Sequence, residues 1–369
     1  MIGKIHGRDI WIISDRINKA DDNGEVFFTY VMAAKPAAKV YFAISKESAD
    51  YRRLKKIGKV VDCYSRKYRV LFYLSKYFIS SQADHQLLFP MIGLDKELNL
   101  NRPKFIFLQH GVTKDNISKW INKYNQNIYR IITNSPKESE SFQDVGYYYS
   151  NNNIWLTGMP RFDRSLKELK KVVVFMPTWR HYLVGKMNDD GTRDLNPGYE
   201  KSSFYVNYGA LLSDKHLFDE IESYGYTIQV MLHPNMKALA DLIPHDERTV
   251  FLPFETSYGD IIGSCSLLIT DYSSVAFDFA YYYKPVIYFQ PDFDEFFSGE
   301  HTYTKGYFSY EEDGFGEIET DPGRIIECII DYCKHDCLMK QKYRNRVDSY
   351  FEYHDNKNSE RIYNLIAKD

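Results

Sequence analysis

The chain predicts two doubly wound α/β domains, each built on a parallel sheet. Three observations carry the prediction. Short apolar runs of strand length alternate with helix-length segments along most of the sequence. Polar, turn-rich motifs stand at the carboxyl ends of those runs, where open parallel sheets build their sites. The pattern restarts after a charged stretch at 164–171. This places one domain over 1–165, a second over 166–345 and a closing helical segment over 346–369 that packs back toward the first.

Residues 9–14 (DIWIIS) form the first strand, followed by a polar loop and a helix over 25–34. Arg16, Asp21, Asp22 and Asn23 lie in that loop. They line a site at the strand's carboxyl end, or the loop is simply solvated and the last three cap the helix. A second strand at 39–44, a charged helix at 50–58 and a short strand at 59–62 come next. Residues 64–76 mix Arg66, Lys67, Arg69 and Lys76 with Tyr68, Phe72 and Tyr73. They read as a packed helix with a solvated basic face, or as an interfacial helix on anionic lipid. After a strand at 77–80, the strand at 104–108 ends at Gln109-His110-Gly111, with Lys114 shortly beyond. A histidine there suits a general base, and the glycine lets a substrate approach the backbone. Strands at 128–134 and 153–157 flank a helix at 136–144 and complete the first domain.

The second domain opens with a strand at 172–176 and Pro177-Thr178-Trp179-Arg180. The polar stretch 182–203 lacks periodicity and is expected to be a functional loop or lid. A helical segment at 208–225 leads to a strand at 227–232 that ends in His233-Pro234-Asn235. A short strand at 250–252 and a helix at 258–265 precede a βαβ unit over 267–291, whose turn reads Asp271-Tyr272-Ser273-Ser274. Free backbone N–H groups, two hydroxyls and a helix's positive end suit a phosphate; serines at that place also cap helices. Helices at 322–333, 340–351 and 359–366 close the chain.

Composition excludes several classes. The net charge of -3 argues against nucleic acid as a partner. No apolar run reaches the roughly 18–20 residues that span a bilayer, and residues 1–14 lack a secretory pattern. Aromatics make up 16% of the chain, mostly Tyr, which suits sugar sites or membrane interfaces. The five cysteines form no zinc-like spacing and read as buried thiols of a reducing cytosol.

Two parallel-sheet domains with motifs at strand ends describe the GT-B architecture, with the active site in the cleft between the sheets. Six fragments in order then resemble one family, the CDP-glycerol:poly(glycerophosphate) glycerophosphotransferases. They are Gln109-His110-Gly111, Thr157-Gly158-Met159-Pro160-Arg161-Phe162-Asp163, Met176-Pro177-Thr178-Trp179-Arg180, His233-Pro234-Asn235, Ile269-Thr270-Asp271-Tyr272-Ser273-Ser274 with Phe277-Asp278, and His354 through Arg361. Ser14-Asp15-Arg16 with Ala20 through Asn23 looks like related capsule and wall-polymer transferases. Two departures stand out: Val112-Thr113-Lys114-Asp115 follows the His-Gly pair where many members carry Thr-Pro, and 182–203 has no counterpart.

The resemblance implies transfer of glycerol phosphate, or a related polyol phosphate, from CDP-glycerol to an acceptor hydroxyl, with release of CMP. It implies His110 as general base and His233 on the donor diphosphate. Thr178, Arg180, Asp271, Ser273 and Ser274 would serve the donor, with Arg180 as a phosphate clamp and Asp271 orienting His233 or the ribose. Arg16, Asp21, Asp22, Asn23 and Lys114 would face the acceptor. It further implies a lipid-linked or oligomeric polymer acceptor and a place on the inner face of a bacterial plasma membrane. No tightly bound cofactor or metal is expected; Mg²⁺ is compatible with the sequence and not required by it. Oligomeric state is not legible. The alternative readings are a nucleotide-sugar transferase, a capsule polymerase using another donor or a UDP-sugar 2-epimerase, and a non-catalytic scaffold.

Overall fold

The computed structural model describes residues 9–91, 102–188, 193–297 and 304–369. The chain divides into two compact units. The first comprises Met1–Thr113, Ser118–Arg164 and Phe351–Asp369; the second comprises Lys114–Ile117 and Ser165–Tyr350.

Among the described residues the first unit holds seven strands: β1 (Ile10–Ser14), β2 (Lys39–Ile44), β3 (Lys59–Asp62), β4 (Tyr77–Ser80), β5 (Lys104–Phe107), β6 (Ile128–Thr133) and β7 (Ile154–Leu156). They pair in the order β3-β2-β1-β4-β5-β6-β7, every described pair parallel. The order reverses between β1 and β4, so the loops after those two strands flank the crevice where such sheets bind ligands. The strands read as continuous apolar runs because both faces are covered, and Ile12, Ile13, Phe42, Phe78, Ile106 and Ile131 are fully buried. Helix Arg66–Leu74 is capped by the Ser65 hydroxyl, buries Tyr68 and Phe72, and turns Arg66, Lys67, Arg69 and Val70 to solvent. One face is thus packed and the basic face is solvated.

Helix Asn358–Lys368 belongs to this first unit. The Asp163 carboxylate accepts from the N–H groups of Asn358 (2.9 Å) and Ser359 (2.7 Å) at its start. The Arg361 Nε donates to the Thr157 carbonyl at 3.0 Å. Gly158, at φ +77, brings its backbone so close that a Cβ would lie 2.2 Å from the Asn358 side chain. Two motif runs, 157–163 and 354–361, are therefore one fastening.

The second unit repeats the architecture with β8 (Lys170–Phe175), β11 (Thr227–Val230), β12 (Val250–Phe251), β13 (Cys265–Thr270), β14 (Val286–Phe289) and β15 (Gly316–Glu319). The order is β12-β11-β8-β13-β14-β15, again all parallel, with the reversal between β8 and β13. Val173, Phe175, Leu267, Ile269, Ile287 and Phe289 form its centre. β15 was not expected from the sequence. Its Gly-Glu-Ile-Glu run is too charged for a buried-strand pattern, which an edge position tolerates.

Two further differences concern 182–225. The expected lid contains an antiparallel pair, β9 (Val184–Met187) with β10 (Arg193–Leu195); its residues 189–192 lie outside the described ones. The Asn196 amide fixes the pair by donating to the carbonyls of Tyr182 (2.9 Å) and Val184 (3.2 Å). The single helix expected over 208–225 is two, Ser203–Leu212 and Lys215–Ser223, because Asp214 caps the second by accepting from the Leu217 N–H. All five cysteines are free thiols. Among the described residues no helix is long and apolar enough to cross a membrane.

Candidate functional site

In the first unit the chemistry gathers at the carboxyl ends of β1, β4 and β5. Asp15, directly after β1, is fully buried. Its carboxylate accepts from the N–H groups of Gly24 (2.7 Å), Glu25 (3.0 Å) and Asp22 (3.2 Å), and from the Ser81 hydroxyl (2.6 Å) after β4. Burial and then the Asp22 charge push the Asp15 carboxyl up to about 7, against the bonds from Ser81, Gly24 and Glu25. Gly24 permits the approach: a Cβ there would lie 2.5 Å from an Asp15 oxygen.

This knot fixes helix Asn23–Ala34, and it assigns the expected acceptor residues structural partners. Asn23 is fully buried. Its amide donates to the carbonyls of Leu108 (3.3 Å) and Gln109 (2.7 Å) and accepts from the Arg161 N–H at 2.9 Å. Asn23, expected to face the acceptor, thus fastens three loops together. Asp22 caps the helix and pairs with the Arg161 guanidinium at 3.1 Å. Asp21, at φ 85, pairs with Arg164 at 3.0 Å. Arg16 is exposed.

His110 is exposed at the end of β5. The Arg161 guanidinium also donates to the His110 carbonyl at 2.7 Å, so Arg161 joins Asp22 to His110. Crowding by surrounding protein lowers the His110 imidazole from its ordinary value; the Arg16 and Arg161 charges lower it further and Asp22 opposes them. Trp120 stands edge-on to the ring at 6.1 Å. Beneath, Gln109 adopts φ 58, and its amide donates to the Ile132 carbonyl (2.6 Å) and to the buried Glu138 (3.1 Å). Glu138 also accepts from the Thr113 N–H at 2.8 Å, so one buried carboxylate holds both sides of the His110 turn. No sequence pattern marks Glu138, which sits in a polar helix start. Arg161 was legible only as part of the 157–163 run.

Lys114 was expected beside these groups. It clusters instead with the second unit, is 4% exposed, pairs with Asp115 and lies over the Tyr310 ring at 5.3 Å. Lys114 is thus a packed, ion-paired side chain.

In the second unit the loops after β8, β11, β13 and β14 supply the site. Asp271 is fully buried and accepts from the Thr178 N–H (2.9 Å), the Thr178 hydroxyl (2.6 Å) and the Tyr208 hydroxyl (3.2 Å). This joins the two loops at the sheet's switch point. Asp271, expected on His233 or the ribose, makes this fastening. Arg180 is bound within the protein as well. Its guanidinium is wholly buried, 2.8 Å from Asp271, and grips Asp292 through Nε (2.6 Å) and Nη2 (2.9 Å). The rings of Phe204, Tyr272 and Phe296 enclose it at 4.8–5.1 Å. Its fork is spent inside the protein and leaves no face for a phosphate. Asp292, missed in the sequence, also accepts from the hydroxyls of Tyr182 (2.5 Å) and Tyr272 (3.2 Å). Burial would raise its value, but Arg180 and these hydroxyls hold it below the usual carboxylate range.

His233 is half-buried and begins the turn Pro234–Leu239. Its Nδ1 accepts from the Asn235 N–H at 3.1 Å, which places the neutral ring's proton on Nε2. The Trp179 ring lies 6.2 Å away, tilted by 31°. Ser273 and Ser274 are half-buried at the start of helix Val275–Tyr281; the Ser273 hydroxyl accepts from the Val275 N–H at 3.3 Å, and Ser274 makes no side-chain capping bond. Among the described residues no group of three or more His, Cys, Asp or Glu side chains is placed to hold a metal ion.

The model of one family, CDP-Glycerol:Poly(glycerophosphate) glycerophosphotransferase, matches residues 2–368. The chain belongs to this family. The resemblance read from its motifs is thereby borne out. Over 365 residues it is 37% identical to the Bacillus subtilis minor teichoic acid biosynthesis protein GgaB, covering 98% of this chain and 40% of that protein. A teichoic acid poly(glycerol phosphate) polymerase of Staphylococcus epidermidis is 25% identical over 209 residues, 54% of this chain and 25% of its own length. The chain thus spans less than half the length of these curated relatives. Among solved structures, the wall teichoic acid polymerase TagF is similar at a TM-score of 0.69 and 20% identity, over 98% of this chain and 89% of that one. This shows the shared fold and bears out the expected pair of parallel-sheet domains.

Proposed function

We propose that this glycerophosphotransferase-family chain moves glycerol phosphate, or a related polyol phosphate, from CDP-glycerol to an acceptor hydroxyl and releases CMP. The acceptor is a lipid-linked or growing cell-wall polymer. The observation that carries this reading is the family match over residues 2–368. TagF, which shares the fold, has been soaked with CDPG as a variant.

In this mechanism the acceptor oxygen attacks the phosphorus that bears the polyol. The new O–P bond forms as the bond to the CMP oxygen breaks, and the acceptor proton passes to His110. A lowered imidazole value favours this, since the ring stays neutral and able to take a proton at neutral pH. The His233 Nε2–H donates to the diphosphate, where charge builds on the leaving CMP. Thr178, Ser273 and Ser274 add donors at the same strand ends. Arg16 draws the anionic acceptor toward His110. Arg180 and Asp271 act through position, holding the Thr178 loop. No step requires a metal; Mg²⁺ bound with the donor is compatible.

The membrane reading rests on Arg66, Lys67 and Arg69, which share an exposed helix surface with Val70. Such a surface suits the anionic inner face of a bacterial plasma membrane. Flotation with anionic liposomes tests it: charge reversal at the three positions should abolish binding.

The donor assignment is tested by CMP release. Purified chain with CDP-glycerol and an oligomeric acceptor should release CMP in step with polymer growth. Product from CDP-ribitol or a UDP-sugar, with none from CDP-glycerol, would sink it. Those donors belong in the screen because the relative at 37% identity is named for a minor teichoic acid, without a polyol in its name.

A further inference from the structure

With Arg180 enclosed by Asp271 and Asp292, the second unit needs another cation if it is to grip a diphosphate. The β9–β10 pair supplies one. Arg193, at the start of β10, lies over the Trp179 ring with its guanidinium carbon 5.8 Å from the centroid. The same indole has His233 at 6.2 Å and His181 at 5.9 Å. One Arg193 terminal nitrogen donates to the Gly185 carbonyl at 2.7 Å, across the strand pair. Its Nε is buried with no hydrogen-bond partner. Among the described residues no carboxylate pairs with it, unlike Arg53, Arg161, Arg164, Arg180, Arg248 and Arg361.

A guanidinium that holds one carbonyl, rests on an aromatic ring and keeps a dehydrated N–H is prepared for an anion, because a buried donor is costly to leave unmet. Trp179 fixes its direction, and the neighbouring His233 carries its proton on Nε2. We propose that Arg193 is the guanidinium that binds the diphosphate of a nucleoside-diphosphate-linked donor, in the place expected of Arg180. The β9–β10 pair thus carries donor binding. The nucleoside's identity rests on the reading above; the diphosphate contact does not.

The test is calorimetric titration of the full chain with cytidine, CMP, CDP and CDP-glycerol, for wild type, R193Q and R193K. R193Q is expected to bind CDP and CDP-glycerol about tenfold more weakly, with cytidine held within about twofold. R193K keeps the charge without the fork and is expected to fall between the two. Equal CDP binding by wild type and R193Q overturns the proposal, as does an equal loss for cytidine and CDP. Should R193Q fail to fold, inorganic pyrophosphate titrated into wild type and R193K decides it: equal affinity overturns the contact. If wild type binds uridine nucleotides and not cytidine ones, the CDP-polyol reading fails. The uridine-against-UDP difference then still measures Arg193.

Discussion

The two units share a topology and solve its central problem in opposite ways. Each sheet runs outward in both directions from its first strand, β1 or β8, and reverses beside it. Each plants a buried carboxylate just past a strand end at that reversal, Asp15 after β1 and Asp271 after β13. Among the described residues Asp15 is bound by neutral donors alone, three backbone N–H groups and one hydroxyl. Asp271 shares Arg180 with Asp292 in a charged cluster ringed by aromatics. The same crevice can thus be held by hydrogen bonds at a helix start or by an enclosed ion pair. The acidities differ accordingly: burial pushes the Asp15 carboxyl up to about 7, whereas Arg180 holds the neighbouring Asp292 low.

The ion pair offers the strongest way to break that contrast. Arg180→Ala leaves two buried carboxylates without their cation and should cost about 3–5 kcal/mol in urea unfolding. A loss below about 1 kcal/mol would mean that the cluster does not hold the loops. The next effect is chemical. His110→Ala should lower turnover by about 10²–10⁴-fold while CDP-glycerol binding stays within about twofold. Unchanged turnover would remove His110 as the base.

At Asp15 the folded state holds a proton that the unfolded chain gives up, so stability falls as pH rises from about 4 to about 7. Asp15→Asn removes that slope. It should cost about 1–2 kcal/mol at pH 5, through bonds its amide cannot accept, and less at pH 8. A cost that grows with pH would contradict the raised value. Ser274→Ala, which sacrifices no capping bond, should weaken CDP binding several-fold and leave the unfolding midpoint within about 1 °C. An unchanged affinity would leave the serine without a ligand role. The smallest effect falls on Arg16. Arg16→Gln removes a charge that lowers His110, so the acid limb of kcat/KM should move up by a few tenths of a pH unit. A downward move would show that His110 does not set that limb.

Much of the site was legible because strand ends in parallel sheets are predictable places. His110, His233, Thr178 and the Asp271 turn all stand where the strand pattern puts them. What each side chain does there was less legible. Asn23 and Arg180 look like ligand residues by type, yet both are fully buried and bound to the protein. Glu138 and Asp292 hold the two sites in shape and carry no motif that marks them.

The sequence by itself determined the alternation of strand and helix, the parallel sheets, most helix starts and the family. These follow from short-range periodicity and from side chains that cap their own neighbours. Only the tertiary structure decided which charges are spent inside. Thr178 meets Asp271 across 93 positions, Arg180 meets Asp292 across 112, and Asp163 meets Asn358 across 195. The direction of a loop side chain, and hence its partner, is set by which strands become neighbours. No local pattern records that choice.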